Sequence, residues 1–181
     1  MPYSSYKDLR IDFPNTPLVT GMNLVLGESG TGKTTYLKAL AGLVPSVELE
    51  LASTWSFMAQ DPVFPDDLKV KEVLTLFAGM ESSRALGALK QWGLRDKANV
   101  FPRFLSVGQR QRLQYIIARA KDCAHLLLDE PTSALDDDWA MKMIADLDHY
   151  LSAHPLAKVV VVSHDPRLKD HFESANTISF V

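Results

Sequence analysis

The chain has 181 residues, 46% of them hydrophobic and 23% charged, with a formal net charge of −3. Such a chain makes one ordinary globular domain without a second full-sized core, and it excludes disordered, collagen-like and disulfide-scaffold classes. The acidic balance gives no general attraction to nucleic acid, and the lone cysteine, Cys123, excludes an internal disulfide and fits a reducing compartment.

Met1 to Tyr6 lacks the basic-then-apolar order of a signal peptide. Leu9 to Phe13 alternates in polarity and is expected to be a strand near a sheet edge. Met22 to Leu26 is a continuous apolar run, as central strands covered on both faces require. It leads into Gly27-Glu28-Ser29-Gly30-Thr31-Gly32-Lys33-Thr34, followed by Thr35. This fits the phosphate-binding pattern Gly-x4-Gly-Lys-Ser/Thr. The glycines let backbone N–H groups turn inward as an anion nest, and the helix expected from Lys33 to Ala41 aims its positive end at the phosphates. Lys33 adds a charge for the β and γ phosphates, and Thr34 offers a hydroxyl to Mg²⁺.

Thr54 to Met58 is expected to be a further strand near an edge. Asp61 to Arg103 carries Pro62, Pro65 and Pro102 without strong strand signals, and is expected to be a helical insertion. Within it, Ser82 to Trp92 is expected to be a helix with Ser82 as its N-cap and Gly93 past its end. A helix from Ser106 to about Lys121 places Leu113, Ile116, Ile117 and Ala120 on one stripe. His125 to Leu128 is a central strand that ends in Asp129 and Glu130, at the edge where parallel sheets bind ligands. Asp129 suits the water shell of Mg²⁺, and Glu130 suits a general base toward a water attacking the γ phosphate. Leu135, Trp139, Met143, Leu147 and Leu151 recur at four-residue spacing in a helix that Pro155 ends. Lys158 to Val162 is a third central strand, and Thr177 to Val181 the last. The order of elements predicts an α/β layer fold with a mainly parallel central sheet.

Leu105-Ser106-Val107-Gly108-Gln109 opens its helix shortly before the acidic strand, Gln60 follows one strand, and His164 follows another. Together with the phosphate loop and Ser133-Ala134-Leu135-Asp136, this ordered set resembles the nucleotide-binding subunit of ATP-binding cassette (ABC) transporters. The resemblance implies a P-loop NTPase of one domain over 1–181, with a helical subdomain at about 61–105. It implies ATP and Mg²⁺ as cofactors. Gln60 would reach Mg²⁺ and the attacking water, beside Thr34 and Asp129 as metal ligands. Ser106 and Gly108, with Gln109 beside them, would meet the γ phosphate held by a second copy of the chain. Asp136 would lie across that homodimer interface, and His164 would position the water.

This sequence also departs from the family. Val107 replaces the glycine usual in the middle of the signature and would be strained if the position needs positive φ. Setting Lys7-Asp8-Leu9 on the family's second strand leaves almost no chain for the first, so Tyr3 or Tyr6 is the candidate to stack on adenine. The stretch from Thr35 to Gln60 is short, which implies a reduced antiparallel β layer. The implied function is an ATPase subunit on the inner face of the cell membrane, driving transport through separate membrane permease subunits. Asp61 to Pro65 and Leu68 to Leu74 are similar to segments of bacterial importer subunits. The alternatives are a soluble cassette ATPase of cofactor assembly, or a degenerate nucleotide-binding module.

Overall fold

The computed structural model describes residues 3–6, 9–44, 54–121 and 123–180, with side chains from Ile11 onward. The side chains of Tyr3 and Tyr6, most of the stretch that follows Leu43, and Val181 lie outside the described residues. The chain divides into two compact units, one formed by Met1–Phe57 with Cys123–Val181 and the other by Met58–Asp122.

The first unit is built on a five-stranded sheet of β3 (Gly21–Leu26), β4 (Trp55–Met58), β5 (His125–Asp129), β6 (Lys158–Val162) and β7 (Asn176–Ser179). Their order across the sheet is β4-β5-β6-β3-β7. β3 pairs in parallel with β6 and β7, and β5 pairs in parallel with β6. The burial follows from those places. Every residue of β5 and β6 after the first is buried, whereas β4 and β7, at the two edges, are buried only at alternate or single positions.

Leu9 to Phe13 differs from the expectation, because β2 (Leu9–Asp12) is not an edge of this sheet. It pairs antiparallel with β1 (Tyr3–Tyr6) in a two-stranded hairpin. Four residues before Lys7 suffice for the extra strand, since a hairpin turn consumes only two.

Helix α1 (Lys33–Leu40) packs Tyr36, Leu37, Ala39 and Leu40 onto Val25, Leu127, Val160 and Ile178 of the sheet. Helix α5 (Asp137–Ala153) buries Ala140, Met143, Ile144, Leu147 and Tyr150. Leu135 lies outside α5, because the Asp136 carboxylate accepts from the Trp139 N–H at 3.0 Å and starts the helix there. A short helix, α6 (Pro166–His171), follows β6 and was not anticipated. Six residues are too few for a periodic apolar signal.

The second unit is helical: α2 (Val70–Ala78), α3 (Ser82–Gln91) and α4 (Val107–Ala120), with 3-10 turns at Arg95–Lys97 and Pro102–Phe104. The N-cap of α3 is Glu81, one residue before the expected Ser82. Helix α4 buries Gln111, Arg112, Tyr115 and Ala118 as well as Leu113 and Ile116, a wider face than its apolar stripe indicates. Arg112 explains part of that width. Its guanidinium donates to the Trp92 carbonyl at 2.8 Å, which lets a charge be buried with a partner.

Candidate functional site

The parallel register sets the site. Asp129 stands opposite Val162, and Val25 opposite the same residue, so the ends of β3, β5 and β6 share one edge. The phosphate loop, both acidic residues and His164 are therefore delivered to the carboxyl edge of one sheet.

The loop after β3 carries Gly27, Gly30 and Gly32 at positive φ. Gly32 has φ +97°, and a Cβ there would stand 2.6 Å from the Ile11 Cγ2, so no larger residue fits. Glu28, Ser29 and Gly30 are exposed, and Thr31 Oγ1 donates to the Glu28 carbonyl at 2.9 Å. Lys33 is only 7% exposed, and its Nζ donates to the carbonyls of Gly27 (2.8 Å) and Glu28 (2.6 Å). The ammonium thus bridges back along the loop that its own helix follows. Thr35 stands in the first turn of α1 and is half-buried.

Thr34 Oγ1 donates to Asp129 Oδ2 at 2.8 Å, which joins the loop to the end of β5. These two hard oxygen donors, one of them an almost fully buried carboxylate, suit Mg²⁺, which needs few protein ligands beside phosphate and water.

Glu130 is the one described non-glycine residue with positive φ, at +49°. Its N–H donates to the Val162 carbonyl at 2.8 Å, and its carbonyl accepts from Ser133 Oγ at 3.0 Å. The bonds on both sides hold a backbone that costs on the order of 1–3 kcal/mol. The result is a carboxylate turned toward His164: Oε2 accepts from the His164 N–H at 3.3 Å, and Oε1 lies 3.7 Å from Nε2. Burial raises the Glu130 pKa above the ordinary carboxylate value, against the opposing pull of the His164 backbone bond. His164 itself is 57% exposed, open to whatever enters the edge.

Within this first unit the structure assembles Gly27 to Thr35, Asp129, Glu130 and His164. Asp136 also lies in it, as the α5 cap. Gln60, Ser106, Gly108 and Gln109 belong to the second unit. There Ser106 caps α4 reciprocally with Gln109: Ser106 Oγ accepts from the Gln109 N–H at 3.2 Å, and Gln109 Oε1 accepts from the Ser106 N–H at 3.0 Å. Gln60 is exposed just after β4.

The family model described as "ABC transporter" matches residues 19–133. An ATP-binding protein named for hemin import, HrtA of Staphylococcus aureus strain MRSA252, is 34% identical over 178 residues, covering 84% of this chain and 78% of that protein. The chain belongs to the ABC transporter family. Its fold matches the ATP-binding subunit of an ABC transporter at a TM-score of 0.80, with 19% identity over 94% of this chain and 80% of that one. An ATP-binding cassette solved as a dimer in a post-hydrolysis state, with ADP and Pi, matches at a TM-score of 0.75 and 25% identity, over 94% and 91% of the two chains. The protein is an ATP-binding cassette and an ATPase, and its fold is that of the P-loop NTPases.

As a cassette it carries one departure without strain. Val107 is the first residue of α4 and has no positive φ, so a β-branched side chain fits its backbone, and it is 55% exposed. Sequence reasoning missed Gln114. With its amide turned for best bonding, Gln114 donates to the Ala59 carbonyl at 2.7 Å and accepts from the Ala59 N–H at 3.0 Å. It thereby fixes the residue before Gln60, and as one polar residue among several in α4 it gave no advance signal of that bond.

Proposed function

We propose that this cassette hydrolyses Mg-ATP to power import through separate membrane permease subunits, as a homodimer that closes over two ATP molecules. The observation that carries the reading is the joint presence, at one sheet edge, of the loop with its buried Lys33, the Thr34–Asp129 contact and the Glu130–His164 pair. Thr34 and Asp129 would hold Mg²⁺, which would supply countercharge to the phosphates. Lys33 exchanges its loop carbonyls for phosphate oxygens, while the N–H groups of Gly30 to Thr34 surround the chain of phosphates. Gln60 is a further contributor on the metal side. Glu130 takes a proton from a water whose oxygen attacks the γ phosphorus. The bond from that phosphorus to the bridging oxygen breaks, and ADP leaves. His164 holds the water and the γ phosphate in line.

The second unit, Met58–Asp122, serves as the helical subdomain and brings Ser106, Gly108 and Gln109 to the ATP of the partner copy. Asp136 stands at the same interface. Such an interface is two-fold and closes at a dimer. Import as the direction of transport is supported by the name of the hemin import relative. Among the described residues no helix is long and apolar enough to cross a membrane, in keeping with a peripheral subunit on the inner face of the cell membrane.

Sedimentation of Glu130→Gln tests the assembly. The variant is expected to be monomeric alone or with ADP and dimeric with ATP, and Ser106→Arg added to it should abolish the dimer. A dimer indifferent to nucleotide would remove Ser106 and Gly108 from the site. Co-purification of the tagged chain with a multi-span membrane protein tests transport. A chain recovered alone, yet turning over ATP, would belong with the soluble cassettes.

A further inference from the structure

We infer that Phe180 is a positioning residue for the phosphate loop, holding it at both ends from outside the residues that the family model matches. The inference rests on the nucleotide reading above for its consequence, and on local geometry for its substance.

At the start of the loop, the Phe180 N–H donates to the Leu26 carbonyl at 2.8 Å, extending the β7–β3 ladder one residue past Ser179. This brings Phe180 across the face of Gly27. A Cβ on Gly27 would stand 2.7 Å from the Phe180 carbonyl oxygen and 2.8 Å from its Cβ, so the two residues meet with no space between them. Gly27 has φ +151°, and its carbonyl is one of the two that hold the Lys33 ammonium. The position of the Gly27 backbone is therefore set from one side by Phe180 and from the other by Lys33.

At the end of the loop, the Phe180 ring lies edge-on to Tyr36, with centroids 5.5 Å apart, and Tyr36 meets Phe13 at 5.2 Å. Tyr36 is 2% exposed, and burial pushes its phenol up to about 12, so the ring stays neutral. Its backbone N–H donates to the Gly32 carbonyl at 2.9 Å, closing the first turn of α1 on the last glycine of the loop. One residue thus braces Gly27 with its backbone and Cβ and Gly32 through its ring on Tyr36, which fixes the two ends of the loop. An aromatic edge contact contributes about 0.5–1.5 kcal/mol beyond the area it buries, enough to shift a local opening equilibrium.

The test compares Phe180→Ala and Phe180→Leu with Leu147→Ala, a buried control position on α5. Acetic anhydride labelling of the nucleotide-free protein, read by mass spectrometry, reports how often Lys33 leaves its carbonyls. Phe180→Ala is expected to raise the Lys33 rate roughly two- to tenfold, the change that one lost aromatic contact corresponds to. The rates of Lys38 and Lys158 should stay at wild-type values, and Mg-ATP affinity should fall by a similar factor. Phe180→Leu, which keeps apolar bulk toward Tyr36, should recover part of both effects even if the alanine variant folds poorly. Leu147→Ala should lower the melting temperature without moving the Lys33 rate. An unchanged Lys33 rate in both Phe180 variants, or an equal rise in Leu147→Ala, would overturn the inference. Wild-type protein that fails to bind Mg-ATP would instead overturn the nucleotide reading, and leave the labelling result to stand by itself.

Discussion

At the scale of single residues, Glu130 concentrates the most opposed demands. It sits at positive φ, buried enough for its pKa to rise, and close to His164. A group whose pKa is higher folded than unfolded stabilises the fold at low pH and loses that contribution as pH rises through the folded value. Glu130→Gln should therefore melt at a higher temperature than wild type near neutral pH, and the difference should vanish below the ordinary carboxylate range. The same substitution should retain ATP binding and lower turnover by a factor on the order of 10² or more. The acid limb of the wild-type rate profile should accordingly lie above the ordinary glutamate value. Lys33→Ala removes the charged donor of the loop and should weaken Mg-ATP binding by roughly ten- to a hundredfold or more, measured by titration calorimetry. The candidate residues that meet at this sheet edge were legible in the sequence because their patterns are local: a glycine pattern before a lysine, two carboxylates after an apolar strand. Gln114 and Phe180 were not. Neither carries reactive chemistry, and each acts through partners that only folding brings to it: the Ala59 backbone for Gln114, and Leu26, Gly27 and Tyr36 for Phe180.

At the scale of elements, caps decide where the helices begin. Ser106→Ala removes the hydroxyl that accepts from the Gln109 N–H, while the Ser106 N–H can still donate to Gln109 Oε1, and should cost about 1 kcal/mol, seen as a melting temperature ~2–4 °C lower. Asp165 caps α6, and its carboxylate is bound at 2.7 Å by Arg167, whose other arm reaches Asp137 of α5. The Arg167 hydrogen bond lowers the Asp165 pKa. A depressed carboxylate contributes stability that is present above its unfolded pKa of about 4 and lost as pH falls through the folded value. Arg167→Met should thus be less stable than wild type at pH 7, with the gap closing under strongly acidic conditions in urea melts. The central strands followed from apolar runs, since burial on both faces leaves no other pattern, and α4 and α5 from periodicity; α2 was legible only as part of a helical insertion. The boundaries at Glu81 and Asp136, and the short α6, did not. The starts of α5 and α6 depend on single cap bonds, from Asp136 and Asp165, and α3 starts at Glu81 with no side-chain cap bond at all, so neighbouring polar residues compete for each boundary.

At the scale of the molecule, the α/β layering and the mainly parallel sheet were accessible from the alternation of strands and helices. The place of β2 was not. An alternating strand shows one covered face without showing which sheet covers it, and β2 pairs with β1 instead of joining the main sheet. The division into two units has its own expression. Leu89→Ala, at a fully buried position of the second unit, should cost about 2–5 kcal/mol. If the units melt separately, it should leave the Lys33 labelling rate of the first at its wild-type value. A calorimetric scan resolving one transition from two decides between separate and joint melting.

The strand order also bears on how the protein is made. β3 emerges early in synthesis, but its two neighbours in the sheet are β6 and β7, more than a hundred residues further along. At ~5–20 residues per second, the phosphate loop is attached to an apolar strand with both edges open for roughly 7–26 seconds. Nascent chains stalled before β6 should be cleaved readily near the loop and should recruit holdase chaperones, and chains stalled after β7 has emerged should not. Nucleotide would then have no competent site to bind, and could not assist folding, until translation had passed both strands.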